Sequence, residues 1–250
     1  MPLIASEALV LRTYKLGETS KIVVLLTRDR GKVRAVAKGA RGGKPRYGSA
    51  LEPLSEVRVT LHGRQGADLF RLGQCELVRS AFPSTGRDLD VALAMSYFAE
   101  LLDAFTLEGE AEDAVYRLAL AVLAAASDGG DIAALTRYLE AWLLRLHGIY
   151  PSLDRCAGCD GALPPGGLPY HANAHGFVCD ACGPAAGPVL SGGLRDLLRE
   201  VFRRPPAPVI TLPGDALVLE GFHRELIRGH LERDLHSHRV LRDVSREMRG

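Results

Sequence analysis

Two cysteine pairs constrain this chain of 250 residues more than any other feature. Cys156 and Cys159 form one C-x2-C turn, Cys179 and Cys182 form a second, and nineteen residues separate the pairs. Each turn can aim two thiolates at one point, and four such ligands in a tetrahedron are typical of a structural zinc site. The segment between the pairs is rich in Gly and Pro and could not build a core alone, so a bound metal would hold it together.

Other interpretations of the cysteines remain open at this level. Two disulfides are the main alternative, which a reducing cytosol disfavours. His171 and His175 lie between the pairs and could replace one ligand. A full set of four cysteines would close the coordination shell, which indicates a structural metal and not a catalytic one. The fifth cysteine, Cys75, falls in a predicted strand and is expected to be a small core residue.

The first 80 residues predict a small β-barrel. Five short segments rich in Val, Leu and Ile alternate with turns that contain Gly or charged residues, a pattern typical of strands. They are residues 7–14, 21–27, 32–38, 54–62 and 68–78. Closure into a barrel would remove exposed sheet edges, and the OB-fold is a five-stranded barrel that binds oligonucleotides. The strand count alone does not distinguish it from other small barrels.

From Asp88 onward the apolar period changes to that of helices. Helical segments are predicted at residues 88–107, 112–127, 131–148 and 191–204, with a last one running from about 217 towards 247. We therefore predict a multi-domain α+β protein. It comprises an OB-fold barrel over residues 1–82, an α-helical domain over 83–150 and 188–250, and a zinc-finger-like element over 151–187.

A cationic stretch at residues 31–48 is the candidate nucleic-acid surface. At the period of two that a strand imposes, residues 32–38 place three cations on one face and small apolar groups on the other. A glycine-broken loop follows and adds three more cations, with no acidic residue between Lys32 and Gly48. The candidate DNA contacts are Lys32, Arg34, Lys38, Arg41, Lys44 and Arg46.

The net charge of +1 hides a strong asymmetry along the chain. Residues 1–80 hold 15 basic and 7 acidic residues, residues 81–150 hold 4 and 11, and residues 151–250 hold 12 of each. This pattern suggests parts with different partners, although solvated faces alone could produce it. Aromatic residues are few in the barrel half, so we expect sequence-indifferent binding to the backbone of single-stranded and duplex DNA.

A second cationic series lies on the predicted helix at 191–204. Arg195, Arg199 and Arg203 recur at intervals of four residues, a spacing that could follow phosphates along one helix face. The alternative is a solvated face on which these arginines pair with Asp196 and Glu200.

Motifs for catalysis and for membranes are missing from the sequence. The segment Gly39–Lys44 lacks the spacing of a phosphate-binding loop, and no nucleophile elbow, metalloprotease motif or paired-carboxylate cluster occurs. No signal peptide or membrane-length apolar run is evident, so a cytoplasmic protein without catalytic activity is expected. Two rival functions are a zinc-dependent nucleic-acid hydrolase and a protein-interaction scaffold.

Three parts of the sequence together resemble the RecO family of bacterial recombination mediators. They are the opening EALVLRTYKLGETSKIVVLLTRDRGKVRAVAKGAR, the segment PRYGSALEPL, and the cysteine quartet after a helical middle. The resemblance implies an N-terminal OB barrel, a central helical domain and a four-cysteine zinc element. In family terms, the six cations named above would form the basic barrel surface, and the four cysteines would bind zinc.

The resemblance also implies a function in DNA repair and recombination. Proteins of this family bind single-stranded and double-stranded DNA and anneal complementary strands. With RecR, they help RecA to displace the single-stranded-DNA-binding protein, and they contact the acidic tail of that protein. No motif in this chain marks the residues that would contact RecR or the tail.

Overall fold

The computed structural model describes residues 3–41, 46–64, 66–81, 88–183, 187–206 and 216–247. Packing divides the chain into two compact units. The first combines Met1–Ser127 with Leu235–Gly250, and the second is Asp128–Asp234. The three-part division into residues 1–82, 83–150 with 188–250, and 151–187 stays a prediction. Within the described residues, no helix has both the length and the apolar character that crossing a membrane requires.

Five strands form a closed barrel in the first unit. They are β1 (Leu3–Leu16), β2 (Ser20–Thr27), β3 (Gly31–Ala37), β4 (Glu56–His62) and β5 (Phe70–Arg79). Their order around the barrel is β1-β2-β3-β5-β4, and only the β3–β5 pair is parallel. The 14-residue strand β1 pairs with β4 along its first half and with β2 along its second half. The predicted five-stranded OB barrel and α+β class are confirmed.

Alternation along the strands builds the barrel core. Val57, Val59 and Leu61, which alternate along β4, are completely buried. On β3, Val33, Ala35 and Ala37 are also buried, as a period of two requires. A 3-10 turn at Gly48–Leu51 adds Ala50 and Leu51 to the same core. The apolar face of the cationic strand therefore packs into the barrel, and its cations point outward.

Six helices occur in the described residues. They are α1 (Leu89–Phe105), α2 (Asp113–Ser127), α3 (Ile132–Leu146), α4 (Gly192–Val201), α5 (Ala216–Leu231) and α6 (His236–Glu247). The first two and α6 belong to the first unit. There α6 packs against α1, and Glu100 of α1 holds its N-terminus by accepting hydrogen bonds from the backbone N–H groups of His236 (3.1 Å) and Ser237 (2.7 Å).

The prediction of one helix from 217 towards 247 is wrong. The chain forms two helices, α5 and α6, with a break at residues 232–235. Glu232 adopts a φ of 54°, a left-handed conformation that a continuous right-handed helix cannot contain. Leu235, which follows the break, is buried. The apolar periodicity of both helices is helical, so sequence pattern alone does not reveal the turn between them.

The second unit contains α3, α4, α5 and three short strands. The strands are β6 (Leu168–His171), β7 (Gly176–Phe177) and β8 (Val189–Leu190), in the order β7-β6-β8. The side-chain oxygen of Ser191 accepts a hydrogen bond from the N–H of Leu194 and caps α4, a role that Ser commonly fills at helix N-termini. Aromatic rings of Tyr170, Phe177 and Phe222 meet edge to face or tilted inside this unit.

A buried polar network crosses the second unit. The Glu140 carboxylate, 1% exposed, contacts Arg137 Nη2 at 3.1 Å and His223 Nδ1 at 3.0 Å. The opposite ring nitrogen of His223, Nε2, lies 2.9 Å from the Tyr150 hydroxyl. Because a carboxylate only accepts hydrogen bonds, Nδ1 carries the imidazole proton and Nε2 accepts from Tyr150. Burial lowers the pKa of His223, so the ring is neutral in the folded chain.

This network predicts loss of stability in mild acid. An unfolded histidine gains a proton below about pH 6.5, whereas the folded His223 resists protonation, so the free energy of unfolding falls as the pH drops below that value. His223→Gln removes the titration and should flatten this decline between about pH 6.5 and pH 5, at a cost of about 1–3 kcal/mol at neutral pH. Urea unfolding across this pH range measures both effects. His236→Gln, at an exposed histidine, is the control, and equal pH profiles for the two variants would contradict the assignment.

Candidate metal centre and nucleic-acid surface

The four predicted metal ligands meet in the second unit. The sulfurs of Cys156, Cys159, Cys179 and Cys182 all lie within 4.8 Å of one another. The Cys159 and Cys179 sulfurs are 3.8 Å apart. Zinc–sulfur bonds of about 2.3 Å in a tetrahedron place the sulfurs about 3.8 Å apart, so one ion fits at the centre of the quartet. Neither His171 nor His175 belongs to this cluster in the described part of the chain.

Backbone hydrogen bonds join the two cysteine turns. The N–H of Ala157 donates to the carbonyl of Phe177 at 2.8 Å, which ties the first turn to β7. The N–H groups of Cys179 (3.3 Å) and Gly158 (3.4 Å) point at the Cys156 sulfur. These donors, Cys179 first, stabilise the thiolate and lower the pKa of Cys156 to about 6. The scaffold thus prepares an anionic sulfur before any metal binds.

Crowding of the sulfurs has the opposite effect on Cys182. Hydrogen bonds with the neighbouring thiols, that of Cys159 first, raise the pKa of Cys182 to about 12. Without a cation, the quartet therefore retains protons among its sulfurs. A divalent metal would remove this penalty, since metal binding to thiols releases their protons. The donor set, its spacing and its charge all fit one soft or borderline dication.

Gly158 is a site residue that the motif analysis missed. A methyl group at this position would lie 3.1 Å from both Cβ and Sγ of Cys182, so a side chain would press on the quartet. The signal was present in the sequence, because the first turn reads Cys-Ala-Gly-Cys. The role of this glycine becomes evident only once the structure shows that Cys182 of the second turn packs against it.

Of the predicted DNA contacts, Lys32 is the most enclosed. Its side chain is 13% exposed, and its ammonium lies 3.2 Å from Oδ1 of Asp103 on α1 and donates to the Asp103 carbonyl at 2.6 Å. Arg12 contacts the same carboxylate at 2.9 Å. Asp103 is itself almost fully buried. Lys32 thus attaches strand β3 to helix α1 within the first unit.

Arg34 also faces the chain that follows α1. Its guanidinium pairs with the Glu108 carboxylate at 2.5 Å, although about half of its side chain stays exposed. Backbone hydrogen bonds of β3 explain why Glu108 lies close to Arg34. Strand β5 pairs with β3 only at residues 35 and 36. Nearer the start of β3, the N–H of Lys32 donates to the carbonyl of Leu107, and the N–H of Gly109 donates to the carbonyl of Lys32. The segment 107–109 therefore covers the remaining edge of β3.

Three other predicted cations lie around the loop that follows β3. Lys38, Arg41 and Arg46 are exposed. Arg41 forms two hydrogen bonds with the turn between β1 and β2. Its backbone N–H donates to the carbonyl of Thr19 (3.0 Å), and its guanidinium donates to the carbonyl of Gly17 (2.7 Å). The N–H of Arg46 donates to the carbonyl of Gly39 and closes the base of the loop. Lys44 lies outside the described residues.

Two lysines that the sequence analysis did not select lie beside this loop. Lys15 and Lys21 occupy directly opposite positions at the end of the β1–β2 ladder. Like charges in such cross-strand pairs are destabilising, so their juxtaposition suits a surface that meets an anion. The confinement of all five lysines to the first 44 residues was the sequence signal that pointed to them. We call the set Lys15, Lys21, Lys38, Arg41 and Arg46 the loop-end cations.

The second cationic series differs from its prediction. Arg195 is buried, with its guanidinium donating to the Pro164 carbonyl at 2.5 Å. Arg199 pairs with Asp154 and Asp196, at 2.5 Å and 3.1 Å. The three arginines therefore do not form one exposed stripe, since Arg199 is only partly exposed and Arg203 lies beyond the end of α4. The i, i+4 spacing identified a helix face correctly but could not show that the N-terminal part of this face is covered.

The structure predicts different roles for Lys32, on the outer face of β3, and Lys38, which follows the last residue of β3. Lys32→Met leaves a buried carboxylate short of one partner and should lower the free energy of unfolding by about 3 kcal/mol. Lys38→Met, at an exposed position, should change it by no more than about 0.5 kcal/mol. Urea unfolding measures both, and a double-mutant cycle with Asp103→Asn isolates the pair. Equal effects of the two substitutions would contradict the assigned role of Lys32.

Comparisons with known proteins agree with this architecture. The family model described as Recombination protein O N terminal matches residues 1–81, and that described as Recombination protein O C terminal matches residues 86–239. Two relatives named DNA repair protein RecO, from Koribacter versatilis and Pelotomaculum thermopropionicum, are 36% and 35% identical to this chain. The alignments cover 92% and 96% of the chain, respectively, and 94% of each relative. A third RecO protein, from Anaeromyxobacter sp. strain K, is 35% identical over 76% of both chains. The chain therefore belongs to the RecO family of DNA repair proteins.

Proposed function

We propose that this chain is a DNA-binding recombination mediator that binds single-stranded and duplex DNA and anneals complementary strands. One observation supports this proposal above all. The loop-end cations gather where the turn between β1 and β2 meets the loop after β3. Family membership supplies the context of DNA repair.

The proposed mechanism is neutralisation of phosphate charge. Each cation that contacts a phosphate releases condensed counterions, which favours binding without regard to sequence. Two strands held on such a surface repel each other less, so complementary bases can meet. Lys38, Arg41, Lys44 and Arg46 are the proposed phosphate contacts, with Lys15 and Lys21 beside them. Arg34 would border this surface, and Lys32 would act mainly by holding β3 to α1.

The test is a charge reversal with a matched control. Lys38→Glu combined with Arg41→Glu should weaken DNA binding by about tenfold or more and lower the slope of log affinity against log salt by about two, because two phosphate contacts are lost. Arg58→Glu combined with Arg79→Glu makes the same charge change at exposed barrel positions away from the loop. Fluorescence anisotropy over a salt series gives both values, and strand annealing should fall in parallel with the affinity.

Two outcomes would contradict the proposal. Equal losses in both double variants would mean that net charge, and not the loop-end cations, determines binding. Wild-type protein that binds neither single-stranded nor duplex DNA even at low salt, where phosphate contacts are strongest, would favour the protein-interaction scaffold.

We further propose that the chain acts with RecR to help RecA replace the single-stranded-DNA-binding protein on single strands, in the cytoplasm at the nucleoid. The support is family membership, and no contact residue for these proteins is assigned. We propose no catalytic step. The four thiol ligands already fill a tetrahedron, whereas a zinc hydrolase needs an open coordination position.

We propose zinc as the metal of the cysteine quartet, in a structural role. The purified chain should carry about one zinc ion, and Cys156→Ser should lose most of it and unfold at lower temperature, since structural zinc contributes directly to folding. Cys75→Ser, which changes a cysteine of the barrel, should keep the metal. Metal analysis and thermal unfolding measure the two effects. Cobalt substitution should give the spectrum of a tetrahedral thiolate site, and a change of that spectrum on adding DNA would favour the hydrolase instead.

A further inference from the structure

A β-bulge in β1 decides which of its side chains reach the outer face of the barrel. The register of β1 against β2 shifts between Val10 and Arg12. Before the bulge, the even-numbered Val10 belongs to the barrel core. After it, the odd-numbered Thr13 pairs with Val23, which belongs to that core, so Arg12 and Tyr14 face outward. Bulges re-aim side chains in this way and are frequent beside functional sites.

Tyr14 is the residue that this shift exposes. Tyr14 is 43% exposed and lies two residues before the last residue of β1, close to the turn that leads into β2. The Arg12 guanidinium lies over the ring, 4.9 Å from its centroid. Arg12 in turn contacts the buried carboxylate of Asp103 at 2.9 Å. The ring is therefore held by a cation that is itself anchored, and part of its surface is open to solvent.

An apolar row continues from Tyr14 across the outer face of the barrel. Ile22 lies opposite Tyr14, Val36 lies opposite Ile22, and Arg71 lies opposite Val36. Ile22 and Val36 are only partly buried, and Arg71 is exposed. Neighbouring strands are about 4.8 Å apart, so this row spans about 14 Å. Arg34, two residues before Val36 on β3, and Lys38, just beyond the end of the strand, flank the row with positive charge.

We infer that Tyr14 is a stacking platform for an unpaired nucleobase, with the row Tyr14–Ile22–Val36 as its apolar floor. Phosphates need only cations, whereas the flat face of a base needs an aromatic or apolar surface. The flanking cations provide the charge that the backbone of the same strand requires. Arg12 is a positioning residue that orients the ring. This inference rests on the proposed DNA binding. It adds a contact to the base, whereas the loop-end cations contact only the phosphates.

Base stacking at Tyr14 predicts which form of DNA the barrel surface prefers. The bases of a duplex are stacked on one another and cannot lie on the ring without unstacking. Duplex binding would use the cations alone, and single strands would use both the cations and Tyr14. The surface would therefore bind single strands more tightly than duplex at equal phosphate number, although the barrel has few aromatic residues.

The experiment compares three substrates with equal numbers of phosphates: an oligothymidylate, an abasic strand and a duplex. Tyr14→Ala should weaken binding to the oligothymidylate by about tenfold, the effect expected from losing one stacked base. Binding to the abasic strand and to the duplex should stay within about twofold of wild type, and the salt slope should not change, because no phosphate contact is lost. Tyr14→Phe keeps the ring and should bind like wild type.

Leu77→Ala is the matched control. Leu77 is exposed to a similar extent, 38%, on β5 of the same barrel, but lies outside the row. Its replacement should affect none of the three substrates. Thermal unfolding of each variant checks that the barrel is intact. As a readout that needs no variant, an oligonucleotide with 5-iododeoxyuridine should cross-link to Tyr14 on irradiation.

Three results would overturn the inference. They are an equal loss on the abasic strand and the oligothymidylate, no loss on either, or cross-links that map only to other residues. The failure of the inference remains distinguishable from failure of the proposed function. Wild-type protein that binds DNA with a steep salt slope while Tyr14→Ala changes nothing would refute stacking alone. Wild-type protein that binds none of the substrates would refute both.

Discussion

The buried carboxylate of Asp103 connects the main features of the first unit. It receives Lys32 from β3 and Arg12 from β1, and a buried carboxylate is tolerated only when such partners compensate its charge. This one interaction places helix α1 beside the barrel and orients Arg12. Because Arg12 also covers the ring of Tyr14, the same carboxylate helps to position a residue on the outer face. Fold and surface chemistry are therefore coupled at one side chain.

The cations of the barrel divide into two groups with different physical roles. Lys32 and Arg34 have carboxylate partners and hold the segment after α1 against β3. Lys15 and Lys21 lie opposite each other, an arrangement that costs stability in the free protein. A protein surface that concentrates like charge in this manner is stabilised by an anionic ligand. This difference explains why the loop-end cations are suited to bind a polyanion, whereas Lys32 and Arg34 are engaged within the protein.

The second unit achieves order by two different means. Its helical part encloses the network of Arg137, Glu140, His223 and Tyr150, in which the Glu140 carboxylate contacts both Arg137 and His223 and the His223 ring also contacts Tyr150. The region around the cysteine quartet is built from short strands and turns, with no α-helix of its own between Leu146 and Gly192 in the described residues. There the backbone N–H groups directed at Cys156 and the convergence of four sulfurs prepare a centre that a metal would complete. Side-chain packing stabilises the helical part, and metal binding would stabilise the region around the cysteine quartet.

The sequence by itself determined the class of fold and which four thiols could hold a metal. Alternation with a period of two identified the barrel strands, and the spacing of the cysteines identified the four thiols that lie together, because both signals are local. Contacts between distant segments were beyond such patterns: the pairing of Lys32 with Asp103, the burial of Arg195 and the break after α5. The bulge in β1 is the clearest case, since one unpaired residue reverses which side chains face outward and so exposes Tyr14. Only the tertiary structure decides such features, because they depend on which strands and helices lie against each other, and a residue's periodicity shows its face but not what covers that face.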